Sequence, residues 1–145
     1  ILLNVRGICM LVPGVPGLSE NIKVISIVDR YLEHSRIFYF QNGGAEEIYL
    51  SSADWMNRNL DRRIELMFPI LDREVFKQVK NILNSYFEDN VSAQVLQESG
   101  DWIPVPRKNG ENPYRVQEVL YKKYKKRFDS ANKEPKIDFQ VRRKD

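Results

Sequence analysis

The order of short strand-like segments and longer helical stripes constrains the fold of this chain more than any other feature. Residues 2–11 form a nearly continuous apolar run, which is typical of a strand buried on both faces. Asn42-Gly43-Gly44 lies between two further strand-like segments and predicts a hairpin or tight turn. The predicted strands are residues 2–11, 22–28, 37–41, 47–51, 63–69 and 91–97.

Two helices are predicted, one on each side of residues 91–97. Asp72 is a typical N-cap, and the apolar residues after it recur at helical spacing as far as Phe87. Asn112 followed by Pro113 predicts the start of a second helix, which would run to about Phe128 after a loop at residues 100–110. The alternation favours an α/β domain with a mixed β-sheet and flanking helices in residues 1–130, followed by a polar tail at 131–145.

Length and composition fit one globular domain. The 145 residues are 42% hydrophobic and 30% charged, a balance that excludes a disordered chain. A net charge of +3 is compatible with an anionic ligand. No apolar run approaches the ~20 residues that a membrane-spanning helix needs, and Cys9 is expected to be a small buried hydrophobe. Because the chain enters a strand-like segment directly from Ile1, we expect it to be a fragment whose amino-terminal portion is missing.

His34 is the only histidine and a candidate residue for phosphoryl transfer. Histidine can donate and accept a proton near neutral pH, so it can act there as acid, base or nucleophile. Arg30 and Arg36 lie close by in sequence, and Arg36 points to the same side as His34 if the local backbone is extended. The alternative is a structural histidine with satisfied hydrogen bonds.

A second candidate site spans residues 51–65. Ser51 and Ser52 follow a predicted strand, where backbone N–H groups could face an anion, and arginines such as Arg63 bind phosphate oxygens through a planar fork. Trp55 is expected to anchor the core. The alternative is a polar turn in which the arginines pair with nearby carboxylates, at Asp54, Asp61 and Glu65.

Arg6 is a third candidate because it interrupts an apolar run. A charge in a buried strand is costly unless it is paired or meets a ligand, and Gly7 would allow another group to approach closely. The alternative is an edge position from which Arg6 reaches solvent. The sequence has no second histidine, no cysteine pair and no spaced carboxylates of the zinc or calcium kinds, and residues 13–17 lack the lysine of a P-loop.

Three segments resemble, in order, the signatures of the last domain of polyphosphate kinases: residues 6–22, 33–43 and 52–63. Together they span roughly the first half of the chain. The resemblance implies a fold like that of phospholipase D, whose His-x-Lys element corresponds here to His34-Ser35-Arg36. Arg36 therefore stands where that superfamily has lysine, and Asp54 stands where it usually has asparagine.

The resemblance also implies a function for the whole enzyme. It would transfer the terminal phosphate of ATP reversibly to polyphosphate, through a phosphohistidine in a neighbouring domain that this chain lacks. His34 matches the second histidine of the family, which contacts the nucleotide phosphates or acts as general acid, and Arg6 matches its nucleotide-phosphate arginine. Arg63 would join them. Mg²⁺ would be bound mainly by residues upstream of this chain.

Other consequences of the resemblance are ATP or ADP and polyphosphate as ligands, no nucleic-acid partner, a homo-oligomeric enzyme and a cytoplasmic location, with peripheral membrane association left open. Two alternatives remain at this stage. One is a half-site of a phosphodiesterase related to phospholipase D. The other is a non-catalytic polyanion-binding module that uses the basic helix at residues 114–127, although that helix could also be an interface for other domains or a second subunit.

Overall fold

Two β-sheets and three α-helices are found in the described part of the chain, which is residues 1–131 of a computed structural model. The strands are β1 Leu2–Asn4, β2 Lys23–Ile27, β3 Ile37–Phe40, β4 Glu47–Ser51, β5 Met67–Pro69, β6 Ala93–Leu96 and β7 Trp102–Pro104. The helices are α1 Asn57–Leu60, α2 Arg73–Phe87 and α3 Val116–Ala131. The predicted tail at 131–145 begins at the last residue of α3, and residues 132–145 lie outside the described residues.

The larger sheet is mixed and carries the core. Its strand order is β1-β2-β6-β7, with β1 parallel to β2 and the other pairs antiparallel. Strand β2 is central and its residues 24–27 are all buried, as its apolar and β-branched composition favours. A buried cluster joins this sheet to the two long helices through Ile27, Ala93, Tyr86 and Val116.

The smaller sheet is antiparallel, with strand order β3-β4-β5. The predicted hairpin between β3 and β4 is confirmed. Asn42, Gly43 and Gly44 have φ values of 42°, 63° and 103°, a left-handed backbone that asparagine and glycine adopt at low cost. This sheet matters for function because the segments at its ends carry the candidate site residues.

The start of α2 was predicted correctly and the start of α3 was not. Asp72 caps α2 by accepting hydrogen bonds from the N–H groups of Glu74 and Val75, each at 2.9 Å. Helix α3 begins at Val116 rather than after Asn112. The reason is that Asn90 holds residues 112–114 outside the helix: it accepts from the N–H of Tyr114 at 2.7 Å and donates to the carbonyl of Asn112 at 3.1 Å.

The predicted first strand is wrong beyond Asn4. The side chains of Ile8 and Met10 are 92% and 89% exposed, and Cys9 is only partly buried. Gly7 has a φ of 96°, which turns the chain out of the extended path just after the last ladder bond, from the N–H of Val5 to the carbonyl of Ile25. Even the paired residues of β1 are not fully buried, since Leu2 is 58% exposed, so the expected burial on both faces is wrong as well.

Strand β7 was missed because it lies within the predicted loop at residues 100–110. Its three residues are too few to show a periodic pattern, and only pairing with β6 across the turn at Gly100 makes them a strand. Strand β5 is shorter than predicted and begins at Met67 rather than residue 63. None of the helices within residues 1–131 is both long and apolar enough to cross a membrane.

A buried carboxylate ties the ends of three elements together. Asp89, which is 2% exposed, lies two residues after the end of α2. Its Oδ1 accepts from the N–H groups of Val91, Ser92 and Ala93 at 2.7 to 3.0 Å, and its Oδ2 accepts from the N–H of Val116 at 2.8 Å. Asp89 therefore fixes the start of β6 and the start of α3 at once.

We expect Asp89→Ala to lower the free energy of unfolding by about 3 kcal/mol, because it leaves buried N–H donors without an acceptor. Chemical denaturation of the 145-residue chain measures this change. The control is Asp129→Ala, which removes an exposed carboxylate from α3 and should change the free energy by less than about 0.5 kcal/mol. Equal denaturation midpoints for the two variants would contradict the assigned role of Asp89.

Candidate phosphate-binding site

Three cationic or ionisable side chains, Arg6 from one segment and His34 and Arg36 from another, converge on Asp54. The Nε of Arg36 donates to Oδ1 of Asp54 at 2.9 Å. The Nε2 of His34 lies 3.6 Å from the same oxygen, and Nη2 of Arg6 lies 3.9 Å from it. These residues lie in three separate segments of the sequence, 6–22, 33–43 and 52–63, and the fold brings them to one carboxylate.

The two sheets position these side chains. Arg36 directly precedes β3, and its carbonyl accepts from the N–H of Ser51 at 3.0 Å, which adds a rung beyond the β3–β4 ladder. This rung sets Arg36 beside the end of β4, from which the chain continues to Asp54. Arg6 comes from the other sheet, two residues after β1. The site therefore lies where the ends of β1, β3 and β4 meet.

The side chains of His34 and Arg36 also contact each other. Nη2 of Arg36 lies 2.5 Å from Nε2 of His34. A guanidinium can only donate, so Nε2 of His34 is the acceptor in this contact. Nε2 becomes available to another group only when Arg36 gives up this contact.

Asp54 is held in its charged form. The hydrogen bond from Arg36 is the main reason that the pKa of Asp54 is lowered; partial burial opposes it, and the charges of Arg36, His34 and Arg6 add to the lowering. Arg6, Arg36 and Asp54 together carry a net positive charge of one, without His34 being counted. Arg6 is loosely paired and its side chain is 40% exposed, so its donors can reach a ligand.

The hydroxyl segment after β4 does not form the anion cradle that the sequence predicted. The N–H of Ser52 donates to the carbonyl of Leu66 at 2.9 Å, and the N–H of Ala53 donates to Oγ of Ser51 at 3.0 Å. These donors are therefore occupied. The Ser52 hydroxyl instead donates to Glu65, and this hydrogen bond is the main cause of the lowered pKa of Glu65.

Arg63 lies apart from the Asp54 cluster. Its side chain is exposed, and no ion pair within residues 1–131 joins it to a carboxylate. Its charge makes a lesser contribution to lowering the pKa of Glu65, which places it near that carboxylate. Its role in phosphate binding stays a prediction. Asp54 and Arg36 are the residues that the sequence analysis did not select, although their positions among the matched segments were a signal.

The prediction that Trp55 anchors the core is wrong. Trp55 is 79% exposed and stacks on Phe38, with ring centroids 5.8 Å apart and planes at 24°. The pair borders a groove of about 310 Å³ on the smaller sheet. The groove is lined by Phe38, Phe40, Ser51, Ala53, Trp55, Leu60, Glu65, Leu66 and Met67. It does not include His34 or Asp54.

The donor set of the site does not fit a metal ion. Within the described residues, no group of three or more His, Cys, Asp or Glu side chains is arranged to hold one. The central carboxylate, Asp54, is already engaged by Arg36. The chemistry of the cluster is that of an anion site, with arginine donors around a single charge-balancing carboxylate.

Comparison with known proteins identifies the family. The family model described as "Polyphosphate kinase C-terminal domain 2" matches residues 1–117. The chain belongs to this family. A polyphosphate kinase from Rhodopirellula baltica is 50% identical over the whole chain, and one from Pseudomonas putida is 51% identical over 81% of it. The chain spans 17% and 16% of the lengths of these two polyphosphate kinases.

A solved structure of the same family shares the fold. The crystal structure of polyphosphate kinase from Porphyromonas gingivalis matches 89% of this chain and 20% of that chain, with a TM-score of 0.81 and 44% identity. The predicted α/β class, related to phospholipase D, is confirmed. The predicted single mixed sheet is refined to a mixed four-stranded sheet and an antiparallel three-stranded sheet.

We expect Arg36→Met to raise the pKa of Asp54, because it removes the hydrogen bond and the charge that favour the carboxylate. In the unsubstituted chain the lowered pKa adds stability at neutral pH that is lost as the pH falls below the usual range of aspartate. The variant should lose less stability over that range. Titration of the Asp54 carboxyl carbon by NMR measures the pKa of Asp54.

The matched control is Lys77→Met, which breaks an exposed ion pair with Glu74 on α2. It should leave the pKa of Asp54 unchanged. If the pKa of Asp54 is the same in the Arg36 variant as in the unsubstituted chain, Arg36 does not hold this carboxylate in solution.

Proposed function

We propose that this chain supplies one side of the phosphate site of a full-length polyphosphate kinase, which reversibly transfers the terminal phosphate of ATP to polyphosphate. The observation that carries the proposal is the convergence of Arg6, Arg36 and His34 on Asp54. Membership of the family and the name polyphosphate kinase on relatives about half identical to this chain support the reaction.

Each residue has a distinct part in this proposal. Arg6, which is exposed and loosely paired, binds oxygens of the nucleotide phosphates. Arg36 turns its guanidinium towards the same anion while Asp54 keeps its Nε in place. When Nη2 of Arg36 turns to the phosphate, Nε2 of His34 is released next to the anion, whose negative charge favours a protonated ring. His34 then donates to a phosphate oxygen or to the departing oxygen.

The covalent step needs a second histidine. In the proposed reaction a ring nitrogen of a histidine elsewhere in the full-length enzyme attacks the terminal phosphorus, the bond to the bridging oxygen breaks, and ADP leaves with the electron pair. A terminal polyphosphate oxygen then takes the phosphoryl group from that histidine. The contribution of this chain is positioning and charge stabilisation, which dominate phosphoryl transfer.

Other parts of the proposal follow from the family resemblance. Mg²⁺ bound outside residues 1–131 would supply further charge neutralisation on the phosphates. Residues 1–130 would act as one domain, with residues 131–145 as a tail. Arg63 would join the phosphate contacts once ligand and neighbouring domains are in place. The full-length enzyme would be a cytoplasmic homo-oligomer, with peripheral membrane association as a further possibility.

We expect His34→Ala and Arg6→Ala each to lower polyphosphate synthesis by about 100- to 1,000-fold, the usual cost of removing one well-placed donor from a charge-stabilising site. The protein to assay is a full-length polyphosphate kinase that carries this chain. The relative from Rhodopirellula baltica, with its matching segment replaced by this chain, provides such a full-length test enzyme.

The control for this assay is Lys77→Ala, which removes an exposed cation outside the Asp54 cluster and should leave the rate unchanged. Near-normal synthesis by either the His34 or the Arg6 variant would remove that residue from the site. If the unsubstituted full-length test enzyme makes no polyphosphate, the proposed function itself fails.

The isolated 145-residue chain should bind phosphate chains without lengthening them, since His34 is its only histidine. Titration with inorganic triphosphate should move the NMR signals of the His34 ring, and Arg6→Ala should weaken this binding about 10-fold, which corresponds to one charge-assisted hydrogen bond. Signals that do not move at any triphosphate concentration would argue against this site. Polyphosphate synthesis by the isolated chain would show that no second histidine is needed.

A further inference from the structure

The segment that carries His34 lacks backbone–backbone hydrogen bonds to the rest of the fold. Residues 28–35 connect β2 to β3, and none of the backbone hydrogen bonds of the described residues involves them. Loops without such bonds are usually the more mobile parts of a fold. A side chain that must meet phosphate within a few tenths of an ångström needs firmer support than this segment provides by itself.

Gln117, in the first turn of α3, takes the place of a neighbouring strand. Its Oε1 accepts from the N–H of Tyr31 at 2.9 Å, and its Nε2 donates to the carbonyl of Tyr31 at 2.7 Å. A reciprocal pair of this kind is what one residue of a β-ladder makes with its partner. The second hydrogen of Nε2 goes to Oε1 of Glu33 at 2.7 Å, so both amide hydrogens and the amide oxygen are used.

Two other side-chain contacts hold the ends of the same segment. At its start, the carboxylate of Asp29 is almost fully buried and binds the guanidinium of Arg115, which lowers the pKa of Asp29 to about 2. At its end, the hydroxyl of Ser35 lies 3.1 Å from the hydroxyl of Tyr86. Gln117 acts between them, and its contact with Glu33 is one residue from His34.

We infer that Gln117 is a positioning residue for His34. It touches neither the Asp54 cluster nor any reacting atom, and it acts by fixing the backbone of Tyr31 and the side chain of Glu33. The inference rests on the proposed function, since it assigns Gln117 to the site of that reaction. If Gln117 only stabilised α3, removing its hydrogen bonds would lower the stability of the fold and leave the position of His34 unchanged. These two effects can be measured separately.

The test is Gln117→Met in the full-length test enzyme, because methionine has nearly the same shape and cannot make these hydrogen bonds. We expect kcat to fall about 10- to 100-fold, the cost of a small misplacement of a catalytic group, with KM changed by less than about 3-fold. The rates are compared at a temperature at which circular dichroism shows every variant folded.

The matched control is Gln78→Met. Gln78 on α2 also joins two elements, through a hydrogen bond from Arg127 on α3, but within the described residues it makes no hydrogen bond to residues 28–35. It should leave kcat unchanged.

A partial rescue by a second substitution is also expected. Gln117→Glu alone places a carboxylate next to that of Glu33, and the two repel each other. Adding Glu33→Gln restores an amide donor and a carboxylate acceptor between these two positions, and it should recover part of the lost kcat.

A second measurement does not depend on activity. His34 is the only histidine of the 145-residue chain, so its ring signals in an NMR spectrum are assigned without ambiguity. Gln117→Met should split or broaden these signals, because the ring samples more than one position, and Gln78→Met should leave them unchanged.

The outcomes separate the inference from the proposed function. Unchanged kcat and unchanged His34 signals in Gln117→Met would overturn the inference, as would a loss of kcat that only follows a loss of folded protein. If the unsubstituted full-length test enzyme makes no polyphosphate, the proposed function fails, and the NMR comparison alone then decides whether Gln117 fixes the position of His34.

Discussion

Four backbone N–H groups meet the buried carboxylate of Asp89, and their convergence determines where α3 can begin. The cost of leaving such donors unpaired in the interior makes this position of α3 strongly preferred. The first turn of α3 and the residue before it then supply Gln117 and Arg115, which hold the segment between β2 and β3. The position of His34 therefore depends on a carboxylate that lies outside the phosphate site.

The site itself combines a carboxylate with the groups that would bind an anion. Asp54 reduces the positive charge that a phosphate would meet, yet without it the guanidinium of Arg36 would lose its carboxylate partner. A preorganised donor costs less to align than a free one when a ligand binds. Arg6 differs from Arg36 because its contact with Asp54 is looser, at 3.9 Å, and this leaves its N–H donors able to turn to a ligand.

The main errors of sequence reasoning have one physical origin. The apolar run at residues 5–11 and the indole of Trp55 have the composition of buried positions, and the structure leaves Ile8, Met10 and Trp55 exposed. Contact with another apolar surface is favourable for an apolar side chain, but the sequence pattern does not specify which surface that side chain will meet. This chain spans 16% to 20% of the related kinases compared with it.

Features set by interactions within a few residues were determined by the sequence itself. The hairpin at Asn42 to Gly44 follows from left-handed φ values, the start of α2 follows from the Asp72 cap, and the apolar β2 follows from its composition. Only the tertiary structure decided where α3 begins, since Asp89 and Asn90 act on it from more than twenty residues away. The same holds for the meeting of Arg6, His34 and Asp54, because no local pattern records which loops two sheets bring together.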